Sequence, residues 1–227
     1  MAGPTSTAAK LVRGKVVRFT LLDECGTPEP TVSQNVAEGI ITVTQTKNMD
    51  EGDEIKVRQM NGQIGTYEPG RRTLLNYTVE VQVITADTQV LSGITGDPAI
   101  VNGGAVIGWT EKALQPLVQN VALELWTDTS AGACVAGGKP VGYVLYPLLS
   151  QGYVTMDNVT DKEITFTIHA MSYGNAEWGV GPYKVVDNAG VPGPLPAALT
   201  IDDHKVFLIT TVAPPAPTAA GLHDLPA

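Results

Sequence analysis

Residues 76–84 read NYTVEVQVI and residues 163–171 read EITFTIHAM. In the first, Tyr77, Val79, Val81 and Val83 alternate with Asn76, Thr78, Glu80 and Gln82. In the second, Ile164, Phe166, Ile168 and Ala170 alternate with Glu163, Thr165, Thr167 and His169. Successive side chains of a strand point to opposite faces, so each segment offers one face to a core and one to water. Outward from these two, Lys15–Leu22, Glu38–Lys47, Glu54–Met60, Ala105–Trp109, Val118–Trp126, Lys139–Tyr146 and Lys205–Val212 are further strand candidates. They are rich in Val, Ile, Thr and aromatics, and Gly, Pro, Asn or Asp bounds nearly all of them. Ala86–Ile94 alone reads as a helix, with Thr85 as its cap, Asp87 in the first turn, Gly96 past its end and Val90, Leu91 and Ile94 as a buried stripe. So short a helix must lie on a sheet to persist. The expected fold is mainly β: a two-sheet β-sandwich or partly closed barrel flanked by one short helix.

The chain of 227 residues is long enough for one sizeable core, and residues 1–212 read as a single domain. With 24 glycines, 16 prolines and few charged residues it is turn-rich, yet 43% apolar content is too high for a disordered chain. No apolar run reaches membrane length, and the opening MAGPTSTAAK does not read as a secretory signal. A net charge of −9 argues against a surface that grips phosphate backbones.

Three segments stand apart from the strand pattern. Lys47–Arg72 carries Asp50, Glu51, Asp53 and Glu54, the turn signal Asn61-Gly62 and the pair Arg71-Arg72, and reads as a long acidic loop leading into a hairpin. Residues 213–227, APPAPTAAGLHDLPA, form a Pro/Ala-rich tail favouring extended backbone. The N-terminal arm (residues 1–14) opens a basic run with Lys10, Arg13, Lys15 and Arg18, whereas residues 23–54 hold eight acids and one base. Opposite signs on arm and loop suit subunits that grip one another.

Catalytic and ligand motifs are missing. Ala133–Pro140 (ACVAGGKP) places Ala and Pro where a phosphate loop needs Gly and Ser/Thr, so it reads as a glycine turn. His169, His204 and His223 lack metal-ligand spacing, and Asp202-Asp203-His204 reads as a turn before the last strand. No serine sits in a Gly-x-Ser-x-Gly elbow. Cys25 and Cys134 are read as free thiols, a long-range disulfide remaining open. The sequons at Asn76 and Asn158 matter only in a secreted protein. Trp109 and Trp126 fall within strand candidates and read as packing residues. No enzyme, cofactor or metal site is expected.

The distinctive motif is Trp178-Gly179-Val180-Gly181-Pro182-Tyr183, a short packing signature flanked by the strand at 163–171 and by Val185-Val186. Together with Val144-Leu145-Tyr146-Pro147 and the strand–helix run 77–96, it resembles the major tail tube proteins of long-tailed bacteriophages, above all those of phages infecting actinobacteria. The likeness spans most of the chain in element order. It implies a sandwich flanked by a helix, six copies closing into a ring with a continuous inner β-barrel, and rings stacking into a conduit for the genome. It also implies a place in the virion tail after assembly in the bacterial cytoplasm. The implied partners are further copies of the chain, a tape measure protein, a tail terminator and a distal tail protein; no membrane is involved.

A duplex crossing such a channel must not stick, and a polar, acidic wall repels phosphate at short range. The wet faces of the long strands supply the lumen-facing candidates Thr78, Glu80, Gln82 and Glu124, followed by Thr42, Thr44 and Thr46. The inter-ring candidates are Asp50, Glu51, Asp53, Glu54, Arg71 and Arg72, with the N-terminal arm or the tail reaching a neighbour. Two other readings stay open: a different virion β-module (terminator, head–tail joining or capsid decoration protein), and a carbohydrate-binding module or hydrolase using Trp178 or the 202–204 cluster.

Overall fold

The computed structural model describes residues 11–85, 87–113, 119–129, 139–159 and 164–226. The chain runs β1 (Leu11–Leu22), β2 (Gln34–Ala37), β3 (Ile40–Asp50), β4 (Ile55–Arg58), β5 (Ile64–Glu68), β6 (Thr73–Val83), α1 (Thr88–Thr95), β7 (Ala99–Asn102) and β8 (Ala105–Trp109). It continues through β9 (Asn120–Thr129), β10 (Val141–Val159), β11 (Ile164–Tyr173), β12 (Val186–Asn188), β13 (Val191–Gly193) and β14 (Val206–Thr210). The protein is mainly β, with one helix among the described residues.

Instead of two separate sheets, eight strands share one antiparallel sheet in the order β2-β1-β9-β10-β11-β6-β3, with β14 also pairing β10. The link is β10, which is 19 residues long and passes from one half of the sheet to the other. Its beginning pairs with β14 (Val141↔Thr210 to Leu145↔Val206), and from Leu148 onward the partner is β11. Pro147 marks the crossover, where the register against β9 also shifts between Tyr146 and Leu149. Proline ends a strand reading in sequence, yet a bulge tolerates it, which is why this strand outruns Lys139–Tyr146. No closed barrel forms among the described residues.

Because the sheet turns back at β10, its halves face each other. Val17, Phe19, Val121 and Leu123 meet Val79, Val81, Ile168 and Ala170, and Val90, Leu91 and Ile94 of α1 plug the open side. Burying each of the Val, Leu, Ile and Phe side chains contributes about 1.5–3 kcal/mol. The helix starts later than expected. Asp87, not Thr85, is the cap, its Oδ1 accepting from the backbone N–H groups of Gln89 (3.1 Å) and Val90 (3.2 Å). Gly152 admits the helix, since a Cβ there would lie 2.8 Å from the Ile94 carbonyl oxygen.

The reverse face of β1, β9 and β10 is covered too. Trp178, Tyr183, Val185 and Leu195 lie over Val16, Ala122, Trp126, Tyr143 and Leu145 as a second core. The chain doubles back within the motif at Gly181, at φ 81°, where a Cβ would meet the Trp178 indole nitrogen at 2.7 Å.

The tail takes a course that sequence did not suggest. Residues 213–226 pack on their own chain along β2: Thr218 N–H donates to the Val36 carbonyl (3.0 Å), and Gln34 and His223 exchange backbone hydrogen bonds (2.9 and 2.8 Å). Gly221 N–H donates to Asp87 Oδ2 (2.6 Å), and Leu222 packs against the first core. One sheet edge is thereby covered in cis. The opposite edge, β3, has no hydrogen-bonded strand on its outer side among the described residues, although the start of β1 approaches it.

Candidate functional site

Four strands, β3, β6, β11 and the second half of β10, build an open polar face opposite the first core. Backbone register aligns the side chains in rows. Thr42 lies beside Gln82 and Gln82 beside Thr167; Thr44 lies beside Glu80, then His169, then Tyr153; Thr46 lies beside Thr78, then Met171. Thr42, Thr44 and Thr46 are exposed, and Thr78, Glu80 and Gln82 are half-buried on the same side. Alternation dictates this placement, because Val79, Val81 and Val83 fill the core from the other face. These rows contain one carboxylate, Glu80, and no Lys or Arg. His169 Nδ1 sits 3.5 Å from Glu80 Oε1, and its ring stacks on Tyr153 with centroids 4.6 Å apart.

Glu124 does not belong to this face. Read as a wet-face residue, it is instead fully buried, because β9 is central and residues 178–195 cover its second side. Arg18, read as part of a basic arm, is buried with it. Arg18 Nε and Nη2 donate to the two carboxylate oxygens of Glu124 at 2.6 and 2.8 Å, and the Tyr143 hydroxyl donates to Oε1 at 2.7 Å. The guanidinium lies over the Tyr183 ring, and the Tyr183 hydroxyl hydrogen-bonds Thr20 (2.9 Å). Burial works against the Arg18 charge, but Glu124 outweighs it and the guanidinium pKa rises. Burial first, then Glu124, holds the Tyr143 hydroxyl protonated well above the ordinary tyrosine range, and burial pushes Tyr183 to about 12. In sequence the alternation of Arg18 with Val17 and Phe19 was the available sign; only the tertiary cover tells that both faces of β1 are dry.

Residues 47–72 are more regular than the loop expected. β3 extends to Asp50, β6 opens at Thr73, and between them β4 and β5 project as a hairpin whose residues are all exposed. Ile55, Val57, Ile64 and Tyr67 stand half in solvent, and Met60 at the turn is fully exposed. Asp50, Glu51, Asp53, Glu54, Arg71 and Arg72 surround the hairpin base and are exposed. Two ion pairs hold it, Lys56 to Glu54 (2.7 Å) and Arg72 to Glu51 (3.2 Å). The Lys56 ammonium lowers the Glu54 pKa through its hydrogen bond and its charge.

The other candidates are packing or turn residues. Trp178, Tyr183 and Trp126 are buried and offer no face for stacking a sugar, while Trp109, partly buried, leans on the first core. Asp203 accepts two hydrogen bonds from Thr200 and closes a turn, and His204 Nδ1 approaches Ser172. No group of three potential metal ligands occurs among the described residues, and no helix there is long and apolar enough to cross a membrane. Cys25 is a free, exposed thiol. Residues 1–10, Cys134 and positions 133–138 of the glycine turn lie outside the described residues; Lys139 pairs with Asp128. No family model matches the chain, and no curated protein is similar to it in sequence.

Proposed function

We propose that the protein is a self-assembling structural subunit of a phage tail tube. One observation carries the reading: a four-stranded polar face without Lys or Arg ends at an unpaired strand edge, beside an exposed, partly apolar hairpin. A long bare edge is a pairing template that a solitary protein normally blunts. Here the chain covers the β2 side itself and leaves the outer edge of β3 without a hydrogen-bonded partner, as expected of a subunit whose neighbours continue the sheet.

If six copies each lend four strands to one barrel, about 24 strands at ~4.8 Å spacing give a bore of roughly 37 Å between backbones, and strand tilt widens it. Thr42, Thr44, Thr46, Thr78, Glu80 and Gln82 would face that bore. Their neutral-to-acidic chemistry offers genomic DNA no counterion-releasing contact, so the duplex slides instead of binding. The protein works by assembly within the virion and catalyses nothing. Its partners are its own copies, with a tape measure protein, a terminator and a distal tail protein at the boundaries of the tube.

Negative-stain microscopy of the purified protein at rising concentration tests the reading. Stacked rings or tubes with a central channel support it. Isolated rings or trimers would favour a terminator, joining or decoration protein, and a monomer at all concentrations would refute both.

A further inference from the structure

The β3–β6 pair has two unlike ends. At one end the hairpin leaves from Asp50↔Thr73; at the other, where Ile40 pairs with Val83, a cavity of about 230 Å³ opens between α1, the sheet and the tail. Eleven residues of β3 separate the two, about 35 Å of extended chain. The cavity floor is apolar, with Phe19, Val83 and Leu91, and Ala219 and Ala220 of the tail form one wall. Its lining includes Glu38 and Asp87 and no Lys or Arg. The hairpin presents the converse. Met60 stands fully exposed at its turn, and from Ile55 to Tyr67 the charges are Lys56 and Arg58 with no acid. Arg58 is held at the tip, its Nη1 donating to the Gly62 carbonyl (3.3 Å).

Resting on the tube reading, we propose that the hairpin of one copy docks into this cavity on a second copy in the next ring, with Met60 filling the apolar floor and Arg58 facing Glu38. A knob at one end and a hole of opposite charge at the other is the arrangement a head-to-tail stack requires, since a heterologous contact repeats without closing on itself. An unbranched, flexible thioether suits an irregular cavity of this size. Glu38 is exposed at the rim and Asp87 is engaged by the helix cap and the tail, so the rim charge open to a partner is Glu38.

The test is the critical concentration for stacking, read by sedimentation and microscopy on the full-length protein. Met60→Asp should raise it at least about tenfold while single rings still form. Glu38→Lys should raise it as well, and adding Arg58→Glu to Glu38→Lys should bring it back towards wild type. All three positions are exposed, so circular dichroism should show an unchanged fold. With Cys25→Ser and Cys134→Ser, Met60→Cys plus Ala219→Cys treated with a short bismaleimide should give a ladder of covalent multimers from tubes. Wild-type tubes alongside unaffected Met60→Asp and Glu38→Lys variants, or tubes without a ladder, would overturn the docking site and leave the tube reading standing. A wild-type protein that never stacks would remove both.

Discussion

Replacing Glu124 with Gln keeps the side-chain shape but removes the charge that Arg18 faces. Both side chains are almost solvent-free, 5% and 0% exposed, and the pair is bidentate. Breaking a buried pair by neutralising one partner costs about 3–5 kcal/mol, because the remaining ion stays in a poorly solvating site. In either orientation Gln also turns its N–H₂ towards an N–H of the Arg18 guanidinium, so one of the three hydrogen bonds becomes donor against donor. For a chain of this length, 1 kcal/mol shifts Tm by about 2–4 °C, so Glu124→Gln should melt roughly 6–20 °C lower. Scanning calorimetry at neutral pH measures this on wild type, Glu124→Gln and the double variant Arg18→Met/Glu124→Leu. The double variant, with no ion left to strand, should recover most of the loss. A Glu124→Gln protein melting within about 2 °C of wild type, or a double variant no better than the single one, would falsify the buried-pair account.

Replacing residues 53–70 with a two-residue Asn-Gly turn should leave the melting temperature nearly unchanged and abolish tubes in negative stain, since residues 53–69 are all exposed; tubes from this variant would remove the hairpin from assembly. Glu80→Lys should fold normally, the Glu80 side chain being half exposed, but its tubes should retain duplex DNA at low salt and release it as salt rises. Equal, salt-independent passage through both tubes would place Glu80 outside the channel. Tyr183, at about 12, and Tyr143, which burial also holds well above the ordinary tyrosine range, keep their protons in the folded state above pH 10, where the unfolded chain loses them. Their stabilisation is complete below pH 10 and fades as pH rises towards 12, by about 1.4 kcal/mol per pH unit for each. Urea midpoints at pH 9, 10 and 11 should therefore hold steady and then fall; a level profile would contradict the burial of these hydroxyls. Removing residues 213–227 should cost about 1–3 kcal/mol through Leu222 and Leu225 and promote association through β2, visible as a lower Tm and a rising sedimentation coefficient.

Period-two alternation located β6 and β11 and the face that Thr78, Glu80 and Gln82 share, because those strands are dry on one side only. It misassigned Glu124 for the same reason: in a strand covered on both sides, alternation still marks two faces but no longer says which is wet; Arg18, read by its charge as part of a basic arm, is buried under the same cover. Pro147 concealed the length of β10, since its tolerance depends on a bulge fixed by strands far away in sequence. Composition marks the tail as extended backbone, and either it or the N-terminal arm as the segment reaching a neighbour. The tail's partners, Val36 and Asp87, lie more than 130 positions earlier, a separation no local pattern reveals. The hairpin was half legible: Asn61-Gly62 announced the turn, while the strands on either side lack the buried face that usually marks them.

The docking of residues 213–226 against β2 makes a segment lying 182 positions further along the chain, at Thr218 against Val36, the one that completes an edge begun near residue 34. Domains fold as the chain emerges from the ribosome, N-terminal parts first. A nascent chain therefore leaves that border uncovered until residues 213–226 have been made, and a chain cut short before them carries two unpaired sheet edges in place of one. Whether this segment has docked thus decides how many pairing edges a subunit carries.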